Sequence, residues 1–179
     1  MDAIAEPRRR ERRVLDRLLS NRLLAIASLI LFAAAVTAIV RGQPQWGRVP
    51  LLVWGHLATI LIATALTPVM LLRRKGTGSH RKLGYVWVAA MGLTAVTSLF
   101  FNTGSRDPRS LGVFTGDFSF IHLLSVFVLL QVPMIVVRAR RHDVAGHEGA
   151  VRGMVTGALL VAGFFTFPFQ RMLGSWLFG

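Results

Sequence analysis

The sequence lacks cysteine and has few charged residues. With no Cys among 179 residues, thiolate catalysis, Cys-ligated clusters and covalent attachment of haem at a cysteine pair are excluded. Charged residues make up 16% of the chain, against roughly 25% in ordinary soluble domains. Because 53% of the residues are hydrophobic and the mean hydropathy is +0.55, the composition also excludes a disordered chain and is typical of an integral membrane protein.

Five apolar runs are long enough to cross a bilayer as helices. They cover residues 23–40, 50–72, 83–102, 118–137 and 150–168. The first four contain no Asp, Glu, Lys or Arg, and the fifth has only Arg152 near its start. We therefore predict an all-α integral membrane protein with five transmembrane helices. Residues 1–22 form a basic cytoplasmic segment, residues 23–40 an additional helix, and residues 50–179 a four-helix up-down bundle.

The basic residues lie mainly on one side of these spans. Sixteen of the 21 Lys and Arg residues precede span one, join spans two and three, or join spans four and five. The positive-inside rule then predicts a cytoplasmic N-terminus and an external C-terminus, in a bacterial cytoplasmic membrane. The run Arg8–Arg13 is expected to bind an anionic leaflet. Because the net charge of +13 is spread over three segments, nucleic-acid binding is not expected.

Two further patterns concern the bundle's architecture. Spans two and three look like a copy of spans four and five, which predicts a parallel repeat of one helix hairpin. The matching positions are His56, Pro68, Arg73 and His80 in one hairpin and His122, Pro133, Arg138 and His147 in the other. Aromatic residues near the span ends are expected to act as interfacial anchors. They are Trp46, Trp54 and Trp176 outside and Tyr85 and Trp87 inside.

Four histidines are predicted to form two pairs. His56 and His122 lie near the outer ends of spans two and four. His80 and His147 lie at the inner starts of spans three and five. Because these spans are diagonal in an up-down bundle, each pair faces across the core at one level, and the levels are about 24 Å apart. The N-caps predicted for the helices of the inner pair are Ser79 and Asp143.

Paired imidazoles on diagonal helices suit a haem iron, which takes two axial ligands on opposite sides of a flat ring. The positive start of each helix favours the neutral, ligating form of histidine. The pattern predicts two haem b groups with His56, His122, His80 and His147 as axial ligands. Glycines that would leave room for a porphyrin are Gly55, Gly84, Gly149, Gly153 and Gly157, although the last three equally suit close helix packing. Cations available for propionates are Arg81, Lys82 and Arg152 inside and Arg106, Arg109 and Arg171 outside.

The sequence also resembles a known family. Residues 79–99, 120–130, 139–154 and 167–174 are similar to an uncharacterised family of bacterial predicted membrane proteins. The matching positions are His56, His80-Arg81, Gly84-Tyr85, Ile121-His122, Asp143, His147, Pro168 and Arg171. The spacing departs from the family pattern at Gly84, which adjoins Tyr85, and at Met154, seven residues after His147. The match implies a shared fold over residues 50–174 more than an activity.

The helix layout is similar to that of ascorbate-reducible di-haem transmembrane b-type cytochromes, which implies one-electron transfer across the membrane.

The leading functional hypothesis is therefore a di-haem b-type membrane cytochrome, a transmembrane oxidoreductase. It would carry electrons between a small reductant or quinol and an acceptor, as a homodimer or with a partner redox subunit. One alternative is a non-enzymatic membrane interaction or assembly subunit whose histidines are buried polar contacts. Another is a metal- or proton-coupled transporter, which the lack of Asp and Glu within the spans disfavours. His142 is expected to be a solvated loop residue, and the methionines are expected to pack in the core.

Overall fold

The computed structural model describes residues 20–101, 112–168 and 171–179. These residues form seven α-helices: α1 Asn21–Arg41, α2 Leu51–Leu72, α3 Gly78–Ser98, α4 Phe120–Arg140, α5 Val144–Met154, α6 Ala162–Phe164 and α7 Met172–Phe178. A π-helix, Val155–Val161, joins α5 to α6, and 3-10 turns at Gln43–Arg48 and Gly112–Thr115 precede α2 and α4. The basic run Arg8–Arg13, together with Arg106 and Arg109, lies outside the described residues.

Three of the helices in the described part are long and apolar enough to cross a membrane, namely α1, α2 and α4. They coincide with predicted spans one, two and four, and they confirm the membrane character of the chain. Helix α3 begins at Gly78, earlier than the predicted start of span three at residue 83. The reason is its N-cap, because the Thr77 hydroxyl accepts the His80 N–H at 3.2 Å. The prediction of Ser79 as N-cap was therefore wrong.

The fifth predicted span is a composite of three helical segments. Helix α5 begins early, at Val144, because the Asp143 carboxylate accepts the Gly146 N–H at 2.9 Å. This contact confirms the predicted Asp143 N-cap. The chain then continues through the π-helix into α6. A π-helical segment widens the helix and shifts the direction of the side chains that follow it.

The helices pack side by side in a closed ring of five helical columns. Helices α1, α2, α3 and α4 are one column each, and the fifth column consists of α5, the π-helix and α6. Each column contacts the next along the chain, and the π-helix contacts α1. Neighbours α2 and α3 are antiparallel, since Thr94 donates to Thr59 at 2.8 Å and Trp87 donates to Thr67 at 2.9 Å. A ring of five alternating helices must contain one parallel pair, and here this pair is α1 and the fifth column.

Helix α1 belongs to the same core as the other helices, whereas the sequence placed it outside the four-helix bundle. The Arg152 Nε donates to the Asn21 side chain at 3.0 Å at one end of the parallel pair. Further along the same pair, a Cβ added to Gly163 would lie 2.6 Å from a Leu31 methyl group. One hydrophobic cluster joins all five columns. Its members include Leu24, Ala25, Leu71, Trp87, Met91, Val128, Ile135, Met154 and Leu159.

Two of the predicted interfacial anchors are instead buried. Trp87 is 3% exposed and its indole N–H donates to Thr67. Because α3 starts at Gly78, Trp87 lies about two and a half turns inside the helix, on the side that faces α2. Trp176 on α7 is 6% exposed, packs against Gly42 and donates to the Gln45 side chain at 3.1 Å. The anchor prediction was wrong for these two residues.

Candidate functional site

The ring of five helical columns has one end rich in basic residues, called the basic end, and an opposite end. The basic end is formed by the start of α1, the end of α2, the start of α3, the end of α4 and the start of α5. The described basic residues at this end are Arg22, Arg73, Arg74, Lys75, Arg81, Lys82, Arg138, Arg140, Arg141 and Arg152. Those described at the opposite end are Arg41, Arg48 and Arg171.

One acidic side chain organises part of the basic end. Glu148 on α5 pairs with Lys75 and, at 3.5 Å, with Arg152. The hydrogen bond from Lys75, together with the nearby positive charges, lowers the pKa of Glu148 and keeps it ionised. Arg152 is therefore held by Glu148 and by Asn21 of α1. Its structural role in closing the ring is shown by these contacts, and the predicted role as a propionate ligand stays a prediction.

His147 is held in the tautomer that binds metals through Nε2. It lies in the first turn of α5, and its Nδ1 is 3.1 Å from the backbone carbonyl oxygen of Ile135 on α4. A carbonyl oxygen only accepts hydrogen bonds, so the Nδ1 atom carries the proton. In the neutral imidazole the Nε2 atom then keeps its lone pair. A backbone acceptor that orients the imidazole in this way is the usual support of a metal-ligating histidine.

His80 has a buried nitrogen without a partner. It is the third residue of α3, and its Nδ1 atom is buried with no hydrogen-bond partner among the described residues. Burial lowers the pKa of His80, and a proton on His147, together with the charges of Lys75 and Arg73, lowers it further. His80 and His147 lie in the first turns of α3 and α5, which both start at the basic end. The structure thus brings the predicted inner pair, His80 and His147, to the same end of the ring.

The lowered pKa of His80 predicts a pH-dependent stability. Its ordinary pKa of 6.5 applies to the unfolded chain, so the unfolded state binds the proton more readily below that pH. The free energy of unfolding contributed by neutral His80 is present above pH 6.5 and is lost as the pH falls. We expect the thermal unfolding midpoint in detergent to fall between pH 7 and pH 5. The fall should be smaller in the variant His80→Gln, and an equal fall in both proteins would contradict this assignment.

His56 is also held with its Nε2 lone pair free. Its Nδ1 atom is 3.1 Å from the Thr97 hydroxyl oxygen on α3. That hydroxyl donates its own hydrogen to backbone carbonyls, including that of Leu93 at 2.9 Å. It can therefore only accept from His56, which places the imidazole proton on Nδ1. The His56 ring also contacts the Phe101 ring, with the centroids 4.8 Å apart.

His122 has the opposite tautomer. It is fully buried, with 0% exposure, and its Nδ1 atom accepts the backbone N–H of Ser119 at 3.0 Å. A backbone N–H only donates, so the imidazole proton is on Nε2. This Nε2 atom is buried without a partner in the described part of the chain. His122 thus presents a hydrogen-bond donor, whereas an iron ligand needs a lone pair at that atom.

The contacts that decide these tautomers were not among the predictions from the sequence. Ser119 precedes His122 by three residues, which is the spacing of a helix capping box. This signal was present in the sequence and could have indicated that the His122 side chain turns back to its own helix start. The Ile135 carbonyl and the Thr97 hydroxyl could not be identified as partners, because both belong to neighbouring helices. Their roles depend on the register between helices.

His56 and His122 lie at one level of the opposite end. Ser98 on α3 and Ser125 on α4 are joined by a hydrogen bond of 2.5 Å. His122 lies three residues before Ser125, about one turn nearer the start of α4. His56 is hydrogen-bonded to Thr97, the residue before Ser98. The two imidazoles therefore both lie near the last turn of α3, one on the α2 side and one on the α4 side. No hydrogen bond joins them directly among the described residues.

The predicted glycine positions differ from one another in their surroundings. A Cβ added to Gly84 would make ordinary contact with Met70, at 3.4 Å. Nothing lies within 4 Å of such an atom at Gly55, Gly149, Gly153 or Gly157. Around α5, Gly149 lies about 160° and Gly153 about 120° from His147, and both glycines are exposed. Gly149 and Gly153 therefore face away from the His147 imidazole, and none of the three glycines of the stripe makes a close helix contact.

The remaining predicted residues are peripheral. Arg81 and Lys82 are exposed in the first turns of α3, and Arg171 is exposed just before α7. His142 is an exposed residue with a positive φ of 57°, in the turn between α4 and α5, which confirms its prediction as a loop residue.

Among the residues described, no group of three His, Asp or Glu side chains could hold a bare metal ion. Comparisons with protein-family models, curated proteins and solved structures gave no match to the chain.

Proposed function

We propose that this chain is a haem b membrane protein that carries single electrons, with the haem held between His80 and His147. The observation that carries the proposal is the chemistry of this pair at the basic end. His147 offers an Nε2 lone pair because the Ile135 carbonyl holds its other nitrogen. His80 is biased to its neutral form and has a buried nitrogen without a partner. Bound haem supplies the one-electron chemistry at its iron.

The surrounding residues fit such a group. The Ile135 carbonyl orients the His147 ring and raises its basicity as a ligand. The exposed cations Arg81 and Lys82 follow His80 directly and provide positive charge for propionates at the membrane surface. Burial of His80 disfavours its protonation.

The proposed arrangement in the membrane has all five columns crossing the bilayer. Helices α1, α2 and α4 supply three spans, and we assign the other two to α3 and to the fifth column because each runs beside them in one ring. The excess of Lys and Arg at the basic end supports an orientation with this end in the cytoplasm of a bacterial cell. The electron partners, either a small reductant, a quinol or another redox subunit, are proposals that accompany this orientation.

The main alternative is a membrane assembly subunit in which the histidines are polar contacts. It is favoured by the interhelical hydrogen bonds of His56 with Thr97 and of His147 with Ile135. Such bonds join transmembrane helices without any cofactor. The alternative leaves the unpartnered nitrogens of His80 and His122 without an explanation, and buried polar atoms normally have partners.

A haem spectrum distinguishes the two functions. The full chain is expressed with added iron and haem precursor and purified in mild detergent. A dithionite-minus-oxidised absorbance spectrum and a pyridine haemochrome assay then measure haem per chain. We expect a sharp reduced α-band and about one haem per chain, as one bis-histidine site requires. A colourless protein would refute the haem function and support the assembly subunit.

A further inference from the structure

His56 and His122 present complementary hydrogen-bonding atoms at the opposite end of the ring. The Nε2 of His56 is an acceptor, because its Nδ1 proton is held by Thr97. The Nε2 of His122 is a donor, because its Nδ1 lone pair is held by the Ser119 N–H. A second haem iron would need a nitrogen lone pair from each histidine, whereas here His56 offers a lone pair and His122 offers an N–H. They do match a ligand that has a hydroxyl group and a second oxygen.

The unpartnered donor indicates that something binds at this level. A buried N–H without an acceptor is destabilising relative to a satisfied one, and His122 is fully buried with its Nε2 unpartnered. Its helix start is held on the other side by the capping contact with Ser119. Turning the ring to satisfy Nε2 would therefore break the contact at Nδ1. An acceptor supplied by a ligand satisfies the donor without this loss.

The surroundings favour a neutral, planar ligand. The Phe101 ring contacts His56, and the Phe118 ring lies 6.0 Å from the His122 ring between centroids. The Phe100 and Phe114 rings pack against each other, with centroids 5.1 Å apart, at the same end. Helices α2, α3 and α4 contain no Asp or Glu. Aromatic faces and the absence of acidic side chains on these helices suit an uncharged ring better than an ion.

We propose that His56 and His122 bind the head group of a quinone-class molecule, a planar ring with oxygens at opposite edges. The His56 Nε2 accepts a ring hydroxyl in the reduced form, and the His122 Nε2–H donates to the ring oxygen at the other edge. Phe101 and Phe118 supply the apolar walls. Molecules of this class partition into the apolar phase of membranes, where this site lies. This site needs no iron, so the inference goes beyond the proposed haem function and does not depend on it.

Binding of a defined quinone tests the inference. The full chain in lipid nanodiscs is titrated by calorimetry, under argon, with 2-methyl-1,4-naphthohydroquinone, the reduced form whose hydroxyl His56 accepts, and empty nanodiscs provide the partition background. We expect saturable binding of about one molecule per chain. The matched ligand 2-methylnaphthalene, which has the same ring without oxygens, should show partition only. This comparison uses the unmodified protein, so it does not depend on how any variant folds.

Variants then assign the hydrogen bonds. His122→Leu should weaken quinone binding by about tenfold, the effect of losing one buried hydrogen bond. His122→Gln, whose amide N–H replaces the donor, should retain most of the affinity. Thr97→Val leaves both histidines in place but removes the acceptor that holds the His56 proton, and it should also weaken binding. His142→Leu, in a turn at the basic end, is the control with unchanged affinity.

Two results would overturn the inference. One is quinone binding that is not saturable or that is equal for the two ligands. The other is a haem count of two per chain that falls to one in both His56→Leu and His122→Leu, which would assign this pair to a second haem. Saturable quinone binding by a colourless protein would instead refute the haem proposal alone. The failure of either proposal is thus recognised separately.

Discussion

We expect the variant His147→Leu to lose the proposed haem and the variant His142→Leu to keep it. His147 has its Nε2 lone pair free and its Nδ1 proton on the Ile135 carbonyl, so it is the best oriented axial ligand of the proposed site. Leucine has no donor atom for iron, so the haem would lose one of its two protein ligands. The measurement is the haem content per chain after purification, read from the reduced α-band.

His142 provides a close control. It lies five residues from His147, is exposed in the turn before α5, and has no role in the proposed site. Full haem content in His147→Leu would contradict the assignment of His147 as a ligand. Size-exclusion elution and helical circular dichroism identify a variant that has merely unfolded.

Rescue by a free ligand separates a ligand role from a structural one at His80. The variant His80→Gly removes the imidazole and leaves space for a small molecule, so we expect loss of the haem spectrum and its partial return with millimolar imidazole. A polar contact that only stabilises the helix would not be restored in this way. Absence of any return in a variant that remains folded would favour another ligand on α3 or α4.

Replacing Trp87 with alanine causes the largest loss of stability that we expect from a single substitution. Trp87 is 3% exposed, lies in the main hydrophobic cluster, and donates its indole N–H to Thr67 at 2.9 Å. Removing a buried aromatic side chain leaves a cavity and costs about 3–5 kcal/mol. The measurement is the free energy of unfolding in mixed detergent micelles, as a function of denaturing detergent.

Two matched variants define the cause of this effect. Trp87→Phe keeps most of the packing and loses the hydrogen bond, so its cost should be about 1 kcal/mol. Thr67 remains satisfied in that variant because its hydroxyl donates to the Ala63 carbonyl at 2.8 Å. Tyr85→Ala, which removes a side chain that is 54% exposed, should change stability by less than about 0.5 kcal/mol. An effect of Trp87→Ala as small as that of Tyr85→Ala would place Trp87 at the membrane interface after all.

The helices were predictable to different degrees. Spans one, two and four agree with α1, α2 and α4 because a long apolar run is a local property that needs no knowledge of neighbours. The Asp143 N-cap was predictable for the same reason, since the carboxylate reaches an N–H three residues away. The start of α3 was not predictable, because Thr77 and Ser79 are both good N-cap residues and the apolar content of the segment does not distinguish between them.

The sequence by itself determined that this chain is helical and apolar, and which histidines lie at which end of the helices. Only the tertiary structure decided that α1 closes a five-column ring and that Trp87 faces the core. It also decided which nitrogen of His56 and of His147 carries the proton. The physical reason is that hydropathy and spacing depend on the chain's own order, whereas these features depend on the atoms that a neighbouring helix presents. A tautomer follows from one facing carbonyl or N–H, and its position depends on interhelical register.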